Sequence, residues 1–123
     1  MIHIYVLQLE HGRFFVGKTK NPQFRLEEHL RLSNYQWTKK YTPKKVIKII
    51  PNCDDNDLDN YTLKYMEQYG IGFVRGGSFH QLYFDENDYC RIQNMINNST
   101  FIWFSVHKKV YPSKSMRNDS KLL

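Results

Sequence analysis

Four side chains of the N-terminal region can act together on an anionic group: Tyr5, Lys18, Arg25 and His29. Arg25 and His29 are four residues apart, a spacing that places two side chains on one face of a helix. A guanidinium can bind a phosphate through two hydrogen bonds, and an imidazole beside it can move a proton. A tyrosine hydroxyl and a lysine ammonium nearby add a polar group and a positive charge. These are the parts that hydrolysis of a phosphodiester bond requires, usually together with a divalent metal ion.

A β-hairpin and a helix must position these side chains. Residues 2–9 and 13–17 are rich in β-branched and aromatic residues and flank a turn that contains Gly12, which predicts an antiparallel pair of strands. Asn21 is a suitable N-cap and Pro22 suits a first helical position, so a helix is predicted over 22–32. The polar segment that follows, 33–43, is predicted to be a turn-rich loop.

The remainder of the chain predicts a third strand and further helices. Residues 45–50 form a compact apolar strand that ends at Pro51, and apolar residues spaced by three and four predict a helix from about 54 to Gly70. The segment 71–84 is predicted to be a loop that contains several glycines. Residues 85–98 are predicted to form a helix, and 101–106 a short strand. The expected fold class is α+β, a small three-stranded sheet flanked by helices.

The composition of the chain limits the classes of protein to which it can belong. The chain has 123 residues, 41% hydrophobic and 24% charged, which is typical of one soluble folded domain. Apolar runs are too short to span a bilayer and no signal peptide is visible, so we expect no membrane association, no secretion, and a location in the cytoplasm or nucleus. Residues 1–106 form the expected domain, and 107–123 a basic, flexible tail. The net charge of +6 suits a polyanionic partner, although a solvated tail has the same charge.

The hairpin and the following helix resemble the GIY-YIG nuclease superfamily over about residues 1–80. The matching segments, in chain order, are His3-Ile4-Tyr5, Phe15-Val16-Gly17, Lys18-Thr19, Arg25 with His29, and Trp37-Thr38. The resemblance implies a metal-dependent endonuclease that acts on DNA. In the family's scheme, Tyr5 activates or positions the water, Lys18 and Arg25 stabilise charge on the phosphate, and His29 assists proton transfer.

A second motif follows the long helix. Tyr69-Gly70-Ile71 and Val74-Arg75-Gly76-Gly77 are similar to segments of a GIY-YIG subgroup of giant viruses and protists, which implies a viral protein of DNA repair or recombination. Arg75 is therefore a candidate contact to nucleic acid, and so are Lys39 and Lys40. Two consecutive glycines can also turn backbone amides toward an anion. The alternative is a tight turn that carries an exposed arginine.

The chain departs from the family pattern at three positions. Ile4 replaces the glycine before Tyr5, Phe15 replaces the second motif's tyrosine, and Thr62 aligns best with the family's metal-binding glutamate. The expected cofactor is Mg²⁺ or Mn²⁺, and Asp59, one helical turn before Thr62, is the candidate ligand. An acid at Asp59 is also favourable simply because it lies near the positive end of the helix dipole.

Two further hypotheses remain open at the level of sequence. The chain can be a pseudo-nuclease that binds nucleic acid through Arg25, Arg75 and its basic tail without cutting it, as a missing metal ligand would allow. It can also be a protein-interaction module with exposed aromatic residues such as Trp37 and Trp103. Cleavage of both strands by one small site requires two events or two copies, so a homodimer is compatible with the nuclease hypothesis.

Overall fold

The computed structural model describes residues 2–32 and 34–106 of the chain. The predicted tail, 107–123, lies outside the described residues. In the described part, none of the helices has the length and apolar character that a bilayer span requires. The strands and α-helices follow one another in this order: β1 Ile2–Leu9, β2 Phe14–Thr19, α1 Leu26–Leu32, α2 Gln36–Lys40, β3 Pro43–Cys53, α3 Asp55–Tyr69, β4 Val74–Gly76 and α4 Glu86–Val106.

The four strands form one sheet in the order β3-β1-β2-β4. Strand β1 is antiparallel to both of its neighbours, whereas β2 and β4 are parallel. The predicted α+β class and the N-terminal hairpin are thus confirmed. The sheet has a fourth strand because the glycine-rich loop contributes Val74–Gly76, which is too short for a periodic pattern to show.

The β1–β2 hairpin brings Tyr5 directly opposite Gly17. The ring of Tyr5 lies over Gly17 so closely that a Cβ atom there would overlap the ring. On its other side the ring stacks on Phe24, with centroids 3.9 Å apart. Glycine at position 17 therefore makes room for the tyrosine, and Phe24 holds it in place.

The first helix begins later than predicted. Instead of a helix from residue 22, the Oδ1 atom of Asn21 accepts a hydrogen bond from the amide of Gln23, and the Asn21 carbonyl accepts one from Phe24. Asparagine competes in this way with helical hydrogen bonding and closes a turn. Helix α1 starts at Leu26, so Arg25 precedes the helix instead of sharing a helical face with His29.

Three other boundaries also differ from the sequence predictions. The segment predicted as a loop contains the short helix α2. Strand β3 extends to Cys53, past Pro51, which an edge strand tolerates because no neighbour requires an amide there. The strand predicted at 101–106 is wrong, since α4 continues to Val106. Helix α3 matches its prediction, and Asp54 and Asp57 form a capping box at its start.

Two apolar cores cover the two faces of the sheet. One core joins β1 and β2 to α3 and α4, and includes Val6, Val16, Met66 and Ile92 among its buried residues. The other core includes Tyr5, Phe15, Phe24 and Trp37. The hypothesis that Trp37 is an exposed interaction residue is wrong, because its side chain is 3% exposed and its Nε1 atom donates to the Phe14 carbonyl at 3.0 Å.

Arg75 on β4 is buried as well, with 3% exposure. Its guanidinium lies between the rings of Trp37 and Phe84, at 4.1 and 3.7 Å from their centroids. Burial lowers the pKa of Arg75 to about 10, so the side chain stays charged at neutral pH. Its N–H groups donate to four backbone carbonyls, those of Ile71, Val74, Gln81 and Leu82. This geometry favours a role in holding the loop after β4 rather than a contact to phosphate.

Replacing Arg75 with alanine should therefore destabilise the fold. The change leaves one buried and three partly buried carbonyls without these donors and empties a buried space between two rings, so we expect the free energy of unfolding to fall by about 3 kcal/mol or more. Arg25→Ala is the matched control, because Arg25 is exposed and such surface changes usually cost less than about 0.5 kcal/mol. Urea unfolding measures both. A fully stable Arg75→Ala protein with weakened DNA binding would instead support the nucleic-acid role of Arg75.

Candidate functional site

A buried chain of hydrogen bonds links Tyr5 to His29 and Thr38. The Tyr5 hydroxyl lies 2.8 Å from Nδ1 of His29, and Nε2 of the same ring lies 3.1 Å from Oγ1 of Thr38. Thr38 in turn donates to the backbone carbonyl of Tyr35 at 3.3 Å. Strand β1, helix α1 and helix α2 each contribute one side chain, so these hydrogen bonds form only when all three elements are in place.

Burial shifts the pKa values of Tyr5 and His29 in opposite directions. Their side chains are 5% and 3% exposed. Loss of hydration raises the pKa of Tyr5 well above its ordinary value, and the nearby Tyr35 raises it further. Loss of hydration lowers the pKa of His29 from 6.5 to about 4. At neutral pH the pair is therefore a neutral phenol beside a neutral imidazole, and one ring nitrogen is free to accept a proton.

An open cleft of about 560 Å³ lies at the end of β2 and β4. Because parallel strands end at the same edge of a sheet, Lys18 near the end of β2 and the loop after β4 meet there. The start of α3 forms the opposite wall. The lining residues are Lys18, Tyr35, Asp55, Asn56, Leu58, Asp59, Gly77, Ser78 and His80.

Tyr35 connects this cleft to the buried chain. Its ring packs against Phe15 with centroids 4.8 Å apart, and Phe15 in turn packs against His29 at 5.1 Å. Tyr35 is 39% exposed and lines the cleft, whereas Tyr5 and His29 do not. The site thus has two parts, a buried proton-accepting pair and an open charged cleft.

Asp59 holds the loop that closes one side of the cleft. Its Oδ1 atom accepts the Ser78 amide at 2.8 Å and its Oδ2 atom accepts the Ser78 hydroxyl at 2.7 Å. Gly77 has a φ of +52°, and a Cβ atom there would overlap Oδ1 of Asp59. Glycine is therefore needed at position 77 both for its backbone conformation and for the close approach of the carboxylate.

Lys18 forms an ion pair with Asp55 across the cleft, at 3.1 Å between Nζ and Oδ1. The two side chains are 52% and 74% exposed, and such exposed pairs contribute at most about 1 kcal/mol. An incoming phosphate can therefore take the place of Asp55 at little cost.

Thr62 does not face the cleft. It is fully buried, and its hydroxyl donates to the Leu58 carbonyl at 2.8 Å. Within the described residues, no three His, Cys, Asp or Glu side chains are grouped so as to hold a metal. The cleft does offer the carboxylates of Asp55 and Asp59, which are four residues apart on one face of α3. Such a pair suits Mg²⁺, which commonly takes one or two protein carboxylates and completes its octahedron with water and phosphate oxygens.

The structure thus brings Tyr5 together with His29, and Lys18 together with Asp59. The other candidates lie apart from these two groups. Arg25 is exposed ahead of α1, and the structure gives its side chain no hydrogen bond or ion pair to a described residue. Lys39 and Lys40 are exposed on α2, where Lys39 donates to Asn34 at 2.6 Å.

Sequence reasoning assigned no role to four side chains of the site: Tyr35, Thr38, Ser78 and His80. Ser78 and His80 directly follow the double glycine, which is the signal that could have located them. The partnership of Thr38 with His29 spans nine residues and two helices. No local pattern marks such a contact.

The low pKa of His29 predicts a pH dependence of stability. The unfolded chain binds a proton at His29 below about pH 6.5, whereas the folded chain does so only near pH 4. The stabilisation is therefore complete above pH 6.5 and is lost as the pH falls toward 4. Between about pH 7.5 and pH 5 the free energy of unfolding should drop by about 2 kcal/mol through this group.

Urea unfolding at these two pH values measures this contribution. The drop in the free energy of unfolding should be smaller in His29→Gln than in the wild type. His80→Gln is the control, since it removes an exposed histidine and keeps the buried pair of Tyr5 and His29. Equal dependence in all three proteins would contradict the lowered pKa.

Comparison with known proteins agrees with the resemblance carried by the hairpin. No curated protein and no solved structure matches the chain. Residues 1–72 match the family model of the GIY-YIG catalytic domain. The matched region holds the buried pair and most of the cleft, and Ser78 and His80 lie beyond it. Because the match covers more than half of the 123 residues, the chain belongs to the GIY-YIG family.

Proposed function

We propose that this protein is a metal-dependent endonuclease that hydrolyses phosphodiester bonds in DNA. The observation that carries the proposal is the 2.8 Å contact between the Tyr5 hydroxyl and His29 Nδ1, within a GIY-YIG domain and beside a cleft that holds Lys18. A phenol paired with a neutral imidazole can take a proton from water, and the lysine can stabilise charge on a phosphate.

Tyr5 and His29 would act as one proton-accepting unit. The Tyr5 oxygen takes a proton from the attacking water while the hydroxyl proton of Tyr5 passes to His29 Nδ1. The low pKa of His29 keeps it neutral before the reaction, and the negative charge of a bound phosphate raises that pKa and so favours the transfer. Because Tyr5 is 5% exposed, a side chain packed around it must move before water reaches the hydroxyl.

Lys18 is the cationic side chain of the cleft best placed to meet the phosphate. Its partner Asp55 is mostly exposed and is easily displaced. Arg25 would contact the DNA backbone from outside the cleft, as would Lys39 and Lys40 on α2. Such contacts are independent of sequence and weaken as salt rises.

A divalent cation is needed because the cleft also contains two carboxylates. Asp55 and Asp59 would repel a phosphate that approached Lys18 alone. Asp59, with Asp55 beside it, would hold Mg²⁺ or Mn²⁺. When bound, the ion would neutralise charge on the phosphate and lower the pKa of a bound water.

A pseudo-nuclease that binds DNA without cutting it is the second candidate. The observation in its favour is Thr62, which is buried at the position aligned with the family's metal-binding glutamate. A plasmid nicking assay with Mg²⁺ and with Mn²⁺, on duplex and branched DNA, separates the two. Binding without cleavage under all four conditions would favour the pseudo-nuclease.

The Tyr5→Phe variant tests the role of the hydroxyl. The ring is kept, so the stack on Phe24 and the fold should persist, at a cost of about 1 kcal/mol for the lost hydrogen bond. If the hydroxyl acts on the water, plasmid nicking should fall about a hundredfold or more with unchanged DNA affinity. Tyr83→Phe is the matched control, because Tyr83 is 71% exposed and should nick at the wild-type rate. Wild-type activity in Tyr5→Phe would overturn the proposed mechanism.

The Asp59→Asn variant tests the metal ligand. Asparagine can still accept from Ser78 through its carbonyl oxygen, so the melting temperature should change little. Loss of the charge should abolish Mg²⁺-dependent nicking and reduce the paramagnetic broadening that Mn²⁺ causes in NMR signals of the cleft. Glu67→Gln removes an exposed acid of the same helix as a control. Unchanged nicking in Asp59→Asn would show that Asp59 only holds the loop.

A further inference from the structure

Buried hydrogen bonds connect Tyr5 to His29 and His29 to Thr38. The donor and the acceptor in each of them can be assigned by starting from Thr38. The Thr38 hydroxyl has one proton to donate, and its oxygen contacts both the Tyr35 carbonyl and His29 Nε2. A carbonyl oxygen can only accept. Threonine in a helix commonly donates to a carbonyl three or four residues earlier, as Thr38 does here. The Thr38 oxygen is then an acceptor toward His29, and Nε2 of His29 must carry the ring proton.

The hydrogen bond between Tyr5 and His29 gives the same assignment independently. The Tyr5 hydroxyl is buried and protonated, so its proton needs an acceptor. Among the described residues, the structure gives this hydroxyl one hydrogen-bond partner, Nδ1 of His29. Nδ1 must therefore be unprotonated. Tyr5 and Thr38 therefore both favour the same neutral form of the imidazole, with its proton on Nε2.

We propose that Thr38 is a positioning residue that fixes His29 in the tautomer able to accept the proton of Tyr5. The catalytic part of this inference rests on the proposed nuclease function. As the reaction proceeds, the water proton moves to the Tyr5 oxygen, the Tyr5 proton moves to Nδ1, and the hydroxide oxygen bonds to phosphorus. The bond from phosphorus to the leaving oxygen breaks, and that oxygen takes a proton from solvent. Thr38 remains an acceptor for Nε2–H throughout, so the imidazolium that forms is held without any rearrangement.

Removal of the threonine hydroxyl should free the other tautomer. In Thr38→Val the Nε2–H group would be buried without an acceptor, which is unfavourable. A proton on Nδ1 can instead donate to the Tyr5 oxygen, at the cost of the acceptor for the Tyr5 proton. With Thr38 gone, Tyr5 alone favours protonated Nε2, so the preference for that tautomer falls and protonated Nδ1 gains population. Thr38→Ser keeps the hydroxyl and should retain the wild-type form.

The test is an ¹⁵N NMR measurement of the His29 ring in the full chain at about neutral pH. The chain contains five histidines, and the signals absent from His29→Gln identify those of His29. We expect protonated Nε2 and unprotonated Nδ1 in the wild type and in Thr38→Ser, and a shift toward protonated Nδ1 in Thr38→Val. Protonated Nδ1 in the wild type, or an unchanged tautomer in Thr38→Val, would overturn the proposal. If Thr38→Val fails to fold, Tyr5→Phe decides, because it removes the contribution of the Tyr5 hydroxyl. Protonated Nε2 in Tyr5→Phe would then come from Thr38, and protonated Nδ1 there would overturn the proposal.

Nicking measured on the same proteins connects the tautomer to catalysis. The nicking rate of Thr38→Val should fall about tenfold or more, which is part of the loss of about a hundredfold or more expected when a general base is removed. The nicking rate of Thr38→Ser should stay near that of the wild type. Wild-type nicking by a Thr38→Val protein with the altered tautomer would overturn the positioning role. A wild-type protein that cuts no DNA would refute the proposed nuclease function, and the NMR spectra would still decide the assignment of Thr38.

Discussion

The burial of a neutral imidazole is the constraint on which the site depends. His29 is 3% exposed, so its charged form is disfavoured and each ring nitrogen needs a partner. The two partners come from β1 and α2, and the ring itself comes from α1. Their hydrogen bonds are short only if the hairpin and both helices adopt one relative arrangement. The stack of Phe24 on Tyr5 fills the remaining space and fixes that arrangement further.

The two parts of the site require opposite environments. The Tyr5 and His29 pair needs low hydration, because burial is what keeps the imidazole neutral. Lys18 and the carboxylates of the cleft need solvent, because an exposed and weakly held ion pair is what a phosphate can displace. Tyr35 lies where the two environments meet, packed on Phe15 with one side and open to the cleft with the other. Phe15 is apolar at a position where the family pattern has a tyrosine, and it keeps the ring of His29 away from water.

Sequence alone predicted those features that have local causes. Helix α3 was predicted because its apolar spacing and the glycine that ends it are local features, and the hairpin because a glycine turn separates two β-rich segments. Helix α2 and strand β4 have five and three residues, too few for a period to show. Arg75 was expected to contact nucleic acid because it adds a positive charge beside a double glycine that can turn backbone amides toward an anion. Its buried setting depends on Trp37 and Phe84, which only the tertiary fold brings together. The family motif identified Tyr5 and His29 as site residues, whereas Trp37-Thr38 matched the family without indicating a role for Thr38.

The packing of α3 on β4 explains why a metal ligand at Thr62 would not suit this chain. A Cβ atom at Gly76 would overlap the hydroxyl of Thr62 and the carbonyl of Val16, so helix and strand are in close contact there. A glutamate in place of Thr62 would need space that this contact excludes. One turn earlier, at the end of the sheet, α3 borders the open cleft, and Asp59 lies there with Asp55 on the same face. The close packing of α3 on β4 thus leaves no room for a long acidic side chain at position 62, whereas the first turns of the helix are open to the cleft, where the proposed ligand Asp59 lies.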